Sequence, residues 1–209
     1  MLLQPNDHVL FYGDSITDAG RRAETNNNGG MGVGYAALCA ARLLARFPEY
    51  NLTFTNRGIS GNRVYDLERR LEDDVLNLKP TVVSILIGIN DTWRHYDSNI
   101  KSPIEDFRES YRRLLGAIVD RCGARLVLCE PFLLPIPDDR QVWREDLDPR
   151  ITACRDLARE FKAHYLPLDG IFAAAACRQS LAYWLPDGVH PSLAGHALIA
   201  EHWITAVTS

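Results

Sequence analysis

Short apolar runs alternate with longer segments of helical spacing along this chain, and this alternation restricts the fold more than any other feature of the sequence. The short runs have the length of β-strands and cover residues 9–12, 52–55, 81–87, 125–129 and 165–168. Between them, apolar residues recur at the spacing of an amphipathic helix, for example at Val64, Leu67, Leu71, Val75 and Leu78. The third run is almost entirely apolar, as expected of a parallel sheet covered on both faces. The pattern predicts an α/β fold, a three-layer α/β/α sandwich around a five-stranded parallel sheet.

Length and charge narrow the class of protein further. At 209 residues the chain is expected to form one domain over residues 1–209. Lys plus Arg number 23 and Asp plus Glu 27, a net charge of −4 without a basic cluster, so we expect no nucleic-acid partner. No segment approaches the roughly 20 apolar residues of a membrane-spanning helix, and the N-terminus has no signal-peptide pattern. The odd number of cysteines, five and widely spaced, suits buried thiols in a reducing compartment, which predicts a cytoplasmic protein.

Some helix boundaries and loops are also predicted from local signals. Ser102 followed by Pro103 and Glu105 has the pattern of a capping box, and Asp148 before Pro149 repeats the cap-then-proline order. A last helix is predicted over residues 192–207. The least regular stretches, residues 20–34, 131–147 and 180–191, are candidates for functional loops.

Polar residues and glycines follow several of the predicted strands directly. Gly13-Asp14-Ser15 follows the first strand, a glycine-rich segment that includes Gly61 follows the second, and Gly88-Ile89-Asn90-Asp91 follows the third. Asp187 and His190 lie on the loop before the last helix. Ligands of open parallel sheets bind beyond the carboxyl ends of the strands, so we expect these groups to meet there.

Ser15, His190 and Asp187 are the residue types that a serine nucleophile requires. A serine hydroxyl becomes nucleophilic when a base takes its proton, and a carboxylate orients that base and stabilises its charge. Of the six histidines, His190 alone combines a nearby carboxylate with a loop expected at this edge, since His8, next to Asp7, precedes the first strand and lies at the opposite end of the sheet. The simpler interpretation of Ser15, a helix cap or turn residue, is less favoured because the Asp187–His190 loop supplies its partners.

An oxyanion hole is predicted from three further groups. The backbone N–H of Ser15, the backbone N–H of Gly61 and the side-chain amide of Asn90 could bind the oxygen that becomes negative during acyl transfer. Gly61 has no Cβ and so permits a close approach of substrate to the backbone. Turn formation is the alternative explanation for Gly61, and an Asx-turn is the alternative for Asn90.

Other classes of site are less favoured by spacing. The G-x-S-x-G elbow and the G-x-x-x-x-G-K-[ST] phosphate loop are both absent from the sequence. A metal-dependent phosphoesterase remains an alternative, since several hard ligands follow the strands: Asp14, Asp18, Asp91, Asp187 and His190. That alternative gives no role to Ser15, Gly61 or Asn90. A carbohydrate-binding protein without catalysis is a third, weaker alternative.

In these motifs and their order the chain resembles the SGNH hydrolases, also called GDSL esterases and lipases. The matching segments are Gly13-Asp14-Ser15 with Ile16 in place of Leu, Gly61, Gly88-Ile89-Asn90-Asp91 and Asp187-x-x-His190-Pro191. The resemblance implies a flavodoxin-like sandwich, with Ser15 as nucleophile, His190 as base and Asp187 as its orienting group. It also implies an oxyanion hole made by Ser15, Gly61 and Asn90, and neither a metal nor an organic cofactor.

A narrower resemblance is to the intracellular acetylxylan esterase branch, which implies acetylated xylo-oligosaccharide substrates and a homo-oligomer. It is carried by Gly20-Arg21, Gly32-x-Gly34-Tyr35, Asn56-x-Gly58-Ile59-Ser60-Gly61-Asn62 and Trp93-Arg94-x-Tyr96. Trp93, Tyr96 and Trp184 are the predicted sugar contacts, because aromatic faces stack on sugars. The chain departs from this branch at Leu185-Pro186, where an aromatic residue is expected before Asp187. A lysophospholipase or thioesterase with a long acyl groove is the rival within the family.

Overall fold

The computed structural model of this protein describes residues 1–21 and 27–209. Part of the first candidate loop, residues 22–26, lies outside the described residues. In the part of the chain that is described, no helix is both long and apolar enough to cross a bilayer.

Five parallel strands form one sheet in the order β2-β1-β3-β4-β5. The strands are β1 His8–Gly13, β2 Thr53–Gly58, β3 Val82–Leu86, β4 Arg125–Cys129 and β5 His164–Leu166. All five predicted strands are therefore present, and the strand order is that of flavodoxin-like sheets. The fifth ends at Leu166 rather than at the predicted residue 168, because Leu168 already begins the following helix.

Helices cover both faces of the sheet. They are α1 Ser15–Asp18, α2 Asn27–Gly30, α3 Tyr35–Arg46, α4 Val64–Arg69, α5 Leu71–Asp74, α6 Ile89–Ser98, α7 Ile104–Cys122, α8 Arg144–Glu160, α9 Leu168–Ala176, α10 Leu181–Trp184 and α11 Leu193–Thr208. The described residues also form 3-10 turns at Pro48–Tyr50, Leu76–Leu78 and Asp138–Trp143. The predicted α/β/α sandwich is confirmed.

Alternating side chains of each strand enter two separate cores, one on each face of the sheet. In β1, Val9 and Phe11 belong to the core that α3 and α11 cover, whereas Leu10 and Tyr12 belong to the core covered by α4, α7 and α8. This period of two follows from the pleat of a β-strand. Burial on both faces explains why the central strands are apolar over their whole length.

The carboxyl ends of the strands lie level with one another. Gly13 of β1 pairs with Gly58 of β2 and with Leu86 of β3, and Leu86 pairs with Cys129 of β4. Residues that follow these positions are therefore delivered to one edge of the sheet. The chain leaves β1 towards β2 on one side, while β3 continues towards β4 on the other, so the edge between β1 and β3 is a switch point of the topology.

Of the three predicted helix starts, one is wrong and a second has the predicted position without the predicted cap, since α7 begins at Ile104, one residue after Pro103. Ser102 does not cap α7; its hydroxyl instead donates to Asp91 Oδ1 at 3.2 Å, a tertiary contact that competes with the cap. Pro149 lies inside α8, which begins at Arg144, five residues earlier than the cap-then-proline pattern indicates. The start of α11 is as predicted, because the Ser192 side chain accepts a hydrogen bond from Gly195 N.

Candidate active site

Ser15 is the first residue of α1 and is held at the end of β1 by a short, tightly packed turn. The side chain of Asp14 caps α1 by accepting a hydrogen bond from Ile16 N at 3.0 Å. A Cβ on Gly13 would lie only 2.4 Å from the carbonyl oxygen of Leu86, so the backbone before the turn fits glycine alone. Ser15 itself is half-buried, which leaves its hydroxyl accessible to a substrate.

The loop before α11 brings His190 to Ser15. Ser15 Oγ lies 2.9 Å from His190 Nε2, although the two residues are 175 positions apart in the chain. His190 Nδ1 lies 2.7 Å from Asp187 Oδ2. With the Nδ1 proton donated to Asp187, Nε2 is free to accept the proton of the Ser15 hydroxyl.

The hydrogen bonds between His190 and Asp187 shift the pKa values of both side chains. The side-chain bond from His190, together with the backbone bonds from His190 and Val189, holds the pKa of Asp187 well below its usual range, although burial alone would raise it. The same bond with Asp187 raises the pKa of His190 above its usual value, against the opposing effect of burial. Asp187 is thus ionised over the whole neutral range.

Asp14 is a buried carboxyl beside this pair. Its side chain is fully buried, and Oδ2 has no hydrogen-bond partner. Burial raises the pKa of Asp14 to about 7, and the charge of Asp91 acts in the same direction, while the Ile16 N–H and the charge of His190 lower it. Because Asp14 titrates near neutrality next to His190, its carboxylate form will favour the protonated form of His190.

Asn90 and the Gly61 segment are joined directly. Asn90, in the first turn of α6 after β3, donates from Nδ2 to the carbonyl oxygen of Asn62 at 3.0 Å. Gly61 has a φ of +82° and no heavy atom within 4 Å of the position a Cβ would take. Its positive φ suits glycine, and the open space beside it leaves the backbone approachable.

Arg70, which the sequence did not single out, ties together the segments that carry these groups. Its guanidinium donates to Asn62 Oδ1 at 2.7 Å, to the Gly13 carbonyl at 3.1 Å and to the Arg57 carbonyl at 2.8 Å. It also stacks over the Tyr12 ring, 4.4 Å from the ring centre. One planar side chain thus fixes the ends of β1 and β2 and the residue that binds Asn90.

Two of the three predicted sugar contacts lie in an aromatic cluster near His190. The ring centre of Trp93 is 5.7 Å from that of His190 and 5.4 Å from that of Trp143. Tyr96 is stacked on Trp143, with ring centres 5.5 Å apart. Trp143 was not predicted, but it lies in the candidate loop 131–147.

The third predicted sugar contact, Trp184, has a different environment. Its nearest aromatic neighbour is Tyr183, with ring centres 4.9 Å apart, and its carbonyl accepts a hydrogen bond from Ser192 N. The indole Nε1 is buried without a partner. Leu185 is fully buried in the core, whereas Pro186 is exposed beside Asp187, so Pro186 takes the position where the sequence analysis expected an aromatic residue.

His196, on the last helix, is a neighbour of the site that belongs to none of the motifs in the sequence. Its Nδ1 accepts a hydrogen bond from Tyr35 N at 3.2 Å. Burial lowers the pKa of His196 to about 4, and the charge of His190 adds to this effect. His196 is therefore neutral at pH 7.

The carboxylates of the metal-site alternative serve other contacts. Asp91 accepts hydrogen bonds from Val64 N and the Ser102 hydroxyl, and Asp18 accepts one from Ser60 N. Burial raises the pKa of Asp91 to about 6. Across residues 1–21 and 27–209, no three His, Cys, Asp or Glu side chains are arranged to hold a metal ion.

Comparisons with known proteins find a matching family and similar structures. A model of the GDSL-like lipase/acylhydrolase family matches residues 11–198. An acetylxylan esterase of Geobacillus stearothermophilus is 33% identical over 99% of this chain and 96% of its own length. Among solved structures, the acetylxylan esterase Axe2 of the same species has a TM-score of 0.90 at 31% identity, covering 100% of this chain and 97% of that chain. LAE5, an α/β hydrolase from the metagenome of Lake Arreo in Spain, has a TM-score of 0.90 at 32% identity, covering 100% of this chain and 98% of that chain.

Proposed function

This chain belongs to the GDSL-like lipase/acylhydrolase family of carboxylic ester hydrolases, and we propose that it removes acetyl groups from xylo-oligosaccharides or related sugars through a triad of Ser15, His190 and Asp187. The observation that carries the proposed triad is its pair of contacts, 2.9 Å from Ser15 Oγ to His190 Nε2 and 2.7 Å from His190 Nδ1 to Asp187 Oδ2. The sugar substrate is supported by the 33% identity to an acetylxylan esterase.

In the proposed acylation step, Ser15 Oγ attacks the carbonyl carbon of the ester while His190 Nε2 takes the hydroxyl proton. The carbonyl oxygen becomes an oxyanion that accepts hydrogen bonds from Ser15 N, Gly61 N and the Asn90 amide. When the intermediate collapses, His190 returns the proton to the departing sugar oxygen, which leaves as an alcohol. Ser15 then carries the acetyl group as an ester.

Deacylation uses the same groups in the same order. A water molecule attacks the acetyl carbon as His190 Nε2 takes one of its protons, and the same oxyanion hole binds the second tetrahedral intermediate. Ser15 Oγ leaves and receives the proton from His190, which regenerates the hydroxyl and releases acetic acid. Asp187 stays ionised throughout and stabilises the imidazolium in both steps.

Trp93, Tyr96 and Trp184 belong to this proposal as substrate contacts. Support for Trp93 and Tyr96 comes from their cluster, because Trp93 lies beside the His190 ring at 5.7 Å. The guanidinium groups of Arg140 and Arg94 both lie over the Trp93 ring, so a sugar would use the surface of that ring that they leave open. Trp184 is supported by the resemblance alone.

The same proposal has residues 1–209 acting as one hydrolase domain, and it has the chain working in the cytoplasm as a homo-oligomer. The family match over residues 11–198 supports the first part. Unpaired cysteines at all five positions suit a reducing compartment. Light scattering of the purified protein measures the assembly state.

Proton NMR of acetylated xylo-oligosaccharides tests the substrate class. We expect the acetyl signals to decay in a defined positional order and free acetate to appear. Ser15→Ala should stop the decay, whereas Ser98→Ala, a change at an exposed serine, should not. Acetyl signals that persist with the unaltered protein, while a simple nitrophenyl ester is hydrolysed, would reject the sugar and leave a general esterase.

A further inference from the structure

The candidate loop 131–147 is fastened to the loop that carries Asp187 and His190. Leu134 N donates to the Gly188 carbonyl at 2.9 Å. Gly188 has a φ of +80°, and a Cβ there would lie 2.3 Å from the carbonyl oxygens of both Leu134 and Ile136. The two loops are therefore in backbone contact immediately beside the proposed base.

Arg140 makes a second connection between these loops. Its side chain leaves the 3-10 turn Asp138–Trp143 and donates from Nη1 to the carbonyl oxygen of Asp187. The guanidinium carbon lies 4.4 Å from the ring centre of Trp93 and 4.8 Å from that of Trp143. Two indole rings thus hold the guanidinium in place while it binds the backbone of the triad loop.

The charge of Arg140 is not cancelled locally. In the described part of the chain, no carboxylate forms an ion pair with Arg140, in contrast to Arg94, which also lies over Trp93 but is paired with Asp97. Arg140 and His190 are both neighbours of Trp93, whose ring centre lies 4.4 Å from the guanidinium carbon and 5.7 Å from the His190 ring centre. An unpaired positive charge at this range disfavours protonation of the imidazole.

The titratable groups that face His190 act in opposite directions. The hydrogen bond with Asp187 and the charges of Asp187 and Asp14 raise the pKa of His190, whereas burial and the charge of Arg140 lower it. His196, whose pKa is lowered by burial and by the charge of His190, is neutral at pH 7 and adds no charge beside His190. Arg140 is the cation in this set that opposes the two carboxylates.

We propose that Arg140 is a positioning residue that fixes the Asp187–His190 loop by binding the Asp187 carbonyl and supplies positive charge beside the His190 ring. The inference rests on the proposed function, because it assigns Arg140 to the same triad. Arg140 lies outside the motifs that carry the family resemblance.

NMR titration of the His190 ring tests whether the charge of Arg140 acts on His190, and it does so independently of catalysis. We expect Arg140→Gln to raise the pKa of His190 by about half a pH unit, because the variant loses the opposing charge. Arg140→Lys keeps a positive charge and should leave this pKa within about 0.2 unit of its original value. Arg94→Gln, the matched control on the same indole, should leave it unchanged.

The positioning role is measured by kcat/KM on the plateau above the acid limb of the pH profile, where a further rise in pH no longer changes the value for any variant. Both Arg140→Gln and Arg140→Lys should lower kcat/KM about tenfold, because neither reproduces the planar guanidinium that contacts both indole rings. Unaltered kcat/KM in both variants would overturn the positioning role. An unchanged His190 titration in Arg140→Gln, or an equal shift in Arg140→Lys, would overturn the charge role.

Failure of the proposed function would look different. If Ser15→Ala hydrolyses esters as fast as the unaltered protein, the triad is wrong while the NMR titration still reports whether Arg140 acts on His190. A shifted His190 titration in Arg140→Gln, together with an activity that depends on Ser15, supports both the role of Arg140 and the proposed triad.

Discussion

Asp187 holds His190 through both of its carboxylate oxygens: Oδ2 lies 2.7 Å from the ring Nδ1, and Oδ1 accepts the backbone N–H of His190 at 2.7 Å. The ring and the backbone of His190 are therefore oriented by a single side chain three positions earlier. This arrangement raises the pKa of His190, and the carboxylate of Asp14 raises it further. Because the base must be neutral to accept a proton, activity should rise with pH through a value above that of an ordinary imidazole.

Replacing Asp14 by Asn should move the acid limb of the pH–activity profile, the range in which activity rises as His190 loses its proton, to lower pH. The variant removes a carboxylate that raises the pKa of His190, while the Asn side-chain oxygen can still cap Ile16 N. The shift is opposite to that expected for Arg140→Gln. The pH dependence of kcat/KM measures both, and Asp73→Asn, at an exposed position, is the control that should not shift. An acid limb that moves to higher pH in Asp14→Asn would contradict the conclusion that the Asp14 carboxylate raises the pKa of His190.

The same variant should change how stability depends on pH. The pKa of Asp14 is raised from 3.8 in the unfolded chain to about 7 in the fold, so its contribution is fully present below pH 3.8 and is lost as pH rises through about 7. Asp14→Asn should therefore raise the free energy of unfolding by roughly 1–3 kcal/mol at pH 8 and change it little at pH 4. Urea denaturation at the two pH values measures this. Equal effects at both would show that Asp14 does not titrate as described.

Asn90→Ala should lower kcat by about a hundred- to thousandfold with a smaller effect on KM, because the amide is expected to bind the oxyanion and not the ground-state ester. The variant also removes the hydrogen bond to the Asn62 carbonyl, so circular dichroism should be measured alongside the kinetics to check that the fold is retained. Asn77→Ala, at an exposed position, is a matched control that should retain full activity. A large rise in KM at constant kcat would assign Asn90 to substrate binding instead.

Gly188→Ala should lower kcat/KM at least tenfold. A Cβ at this position meets the carbonyl oxygens of Leu134 and Ile136 at 2.3 Å, and the φ of +80° is strained for alanine, so the loop with Asp187 and His190 must move. Gly116→Ala is the matched control, since no heavy atom lies within 4 Å of its Cβ position. Full activity of Gly188→Ala would mean that the loop tolerates displacement.

Acyl-chain length separates the acetylesterase from its rival within the family. The apolar cavity of about 500 Å³ between α3 and β2 is lined by residues such as Met31, Leu44 and Phe54, and none of the triad residues lines it. We therefore expect the hydrolysis of nitrophenyl esters to fall steeply from two carbons to eight. A maximum at eight carbons or longer would favour a lysophospholipase or thioesterase.

The sheet and the motif positions were predictable because both depend on local patterns. A continuous apolar strand reveals a doubly covered sheet, and residues placed just after such strands must meet at its edge. The rule applies to Ser15, Gly61 and Asn90, whereas His190, 175 positions from Ser15, was assigned to the site through its loop before the last helix and the nearby Asp187. The fifth strand was placed with an error of only two residues at its end.

Residues that act through tertiary contacts were missed. Arg70 and Arg140 belong to no motif, and each acquires its partners only when several strand ends or loops are assembled. His196 resembles any polar residue of an amphipathic helix until its burial is known. Ser102 shows the converse error, because a valid capping pattern lost its hydroxyl to the buried carboxylate of Asp91. The irregular composition of residues 131–147 was the one signal that pointed towards Arg140 and Trp143.

Covalent labelling with a fluorophosphonate tests the central claim, that Ser15 is an activated nucleophile, most directly. Peptide mass spectrometry should find one adduct per chain, on Ser15, and the labelling rate should rise with pH through the pKa of His190. Ser15→Ala should take up no label, and His190→Asn should react far more slowly. Stoichiometric labelling of Ser15→Ala, an adduct on a different residue, or no reaction of the unaltered protein would contradict the account.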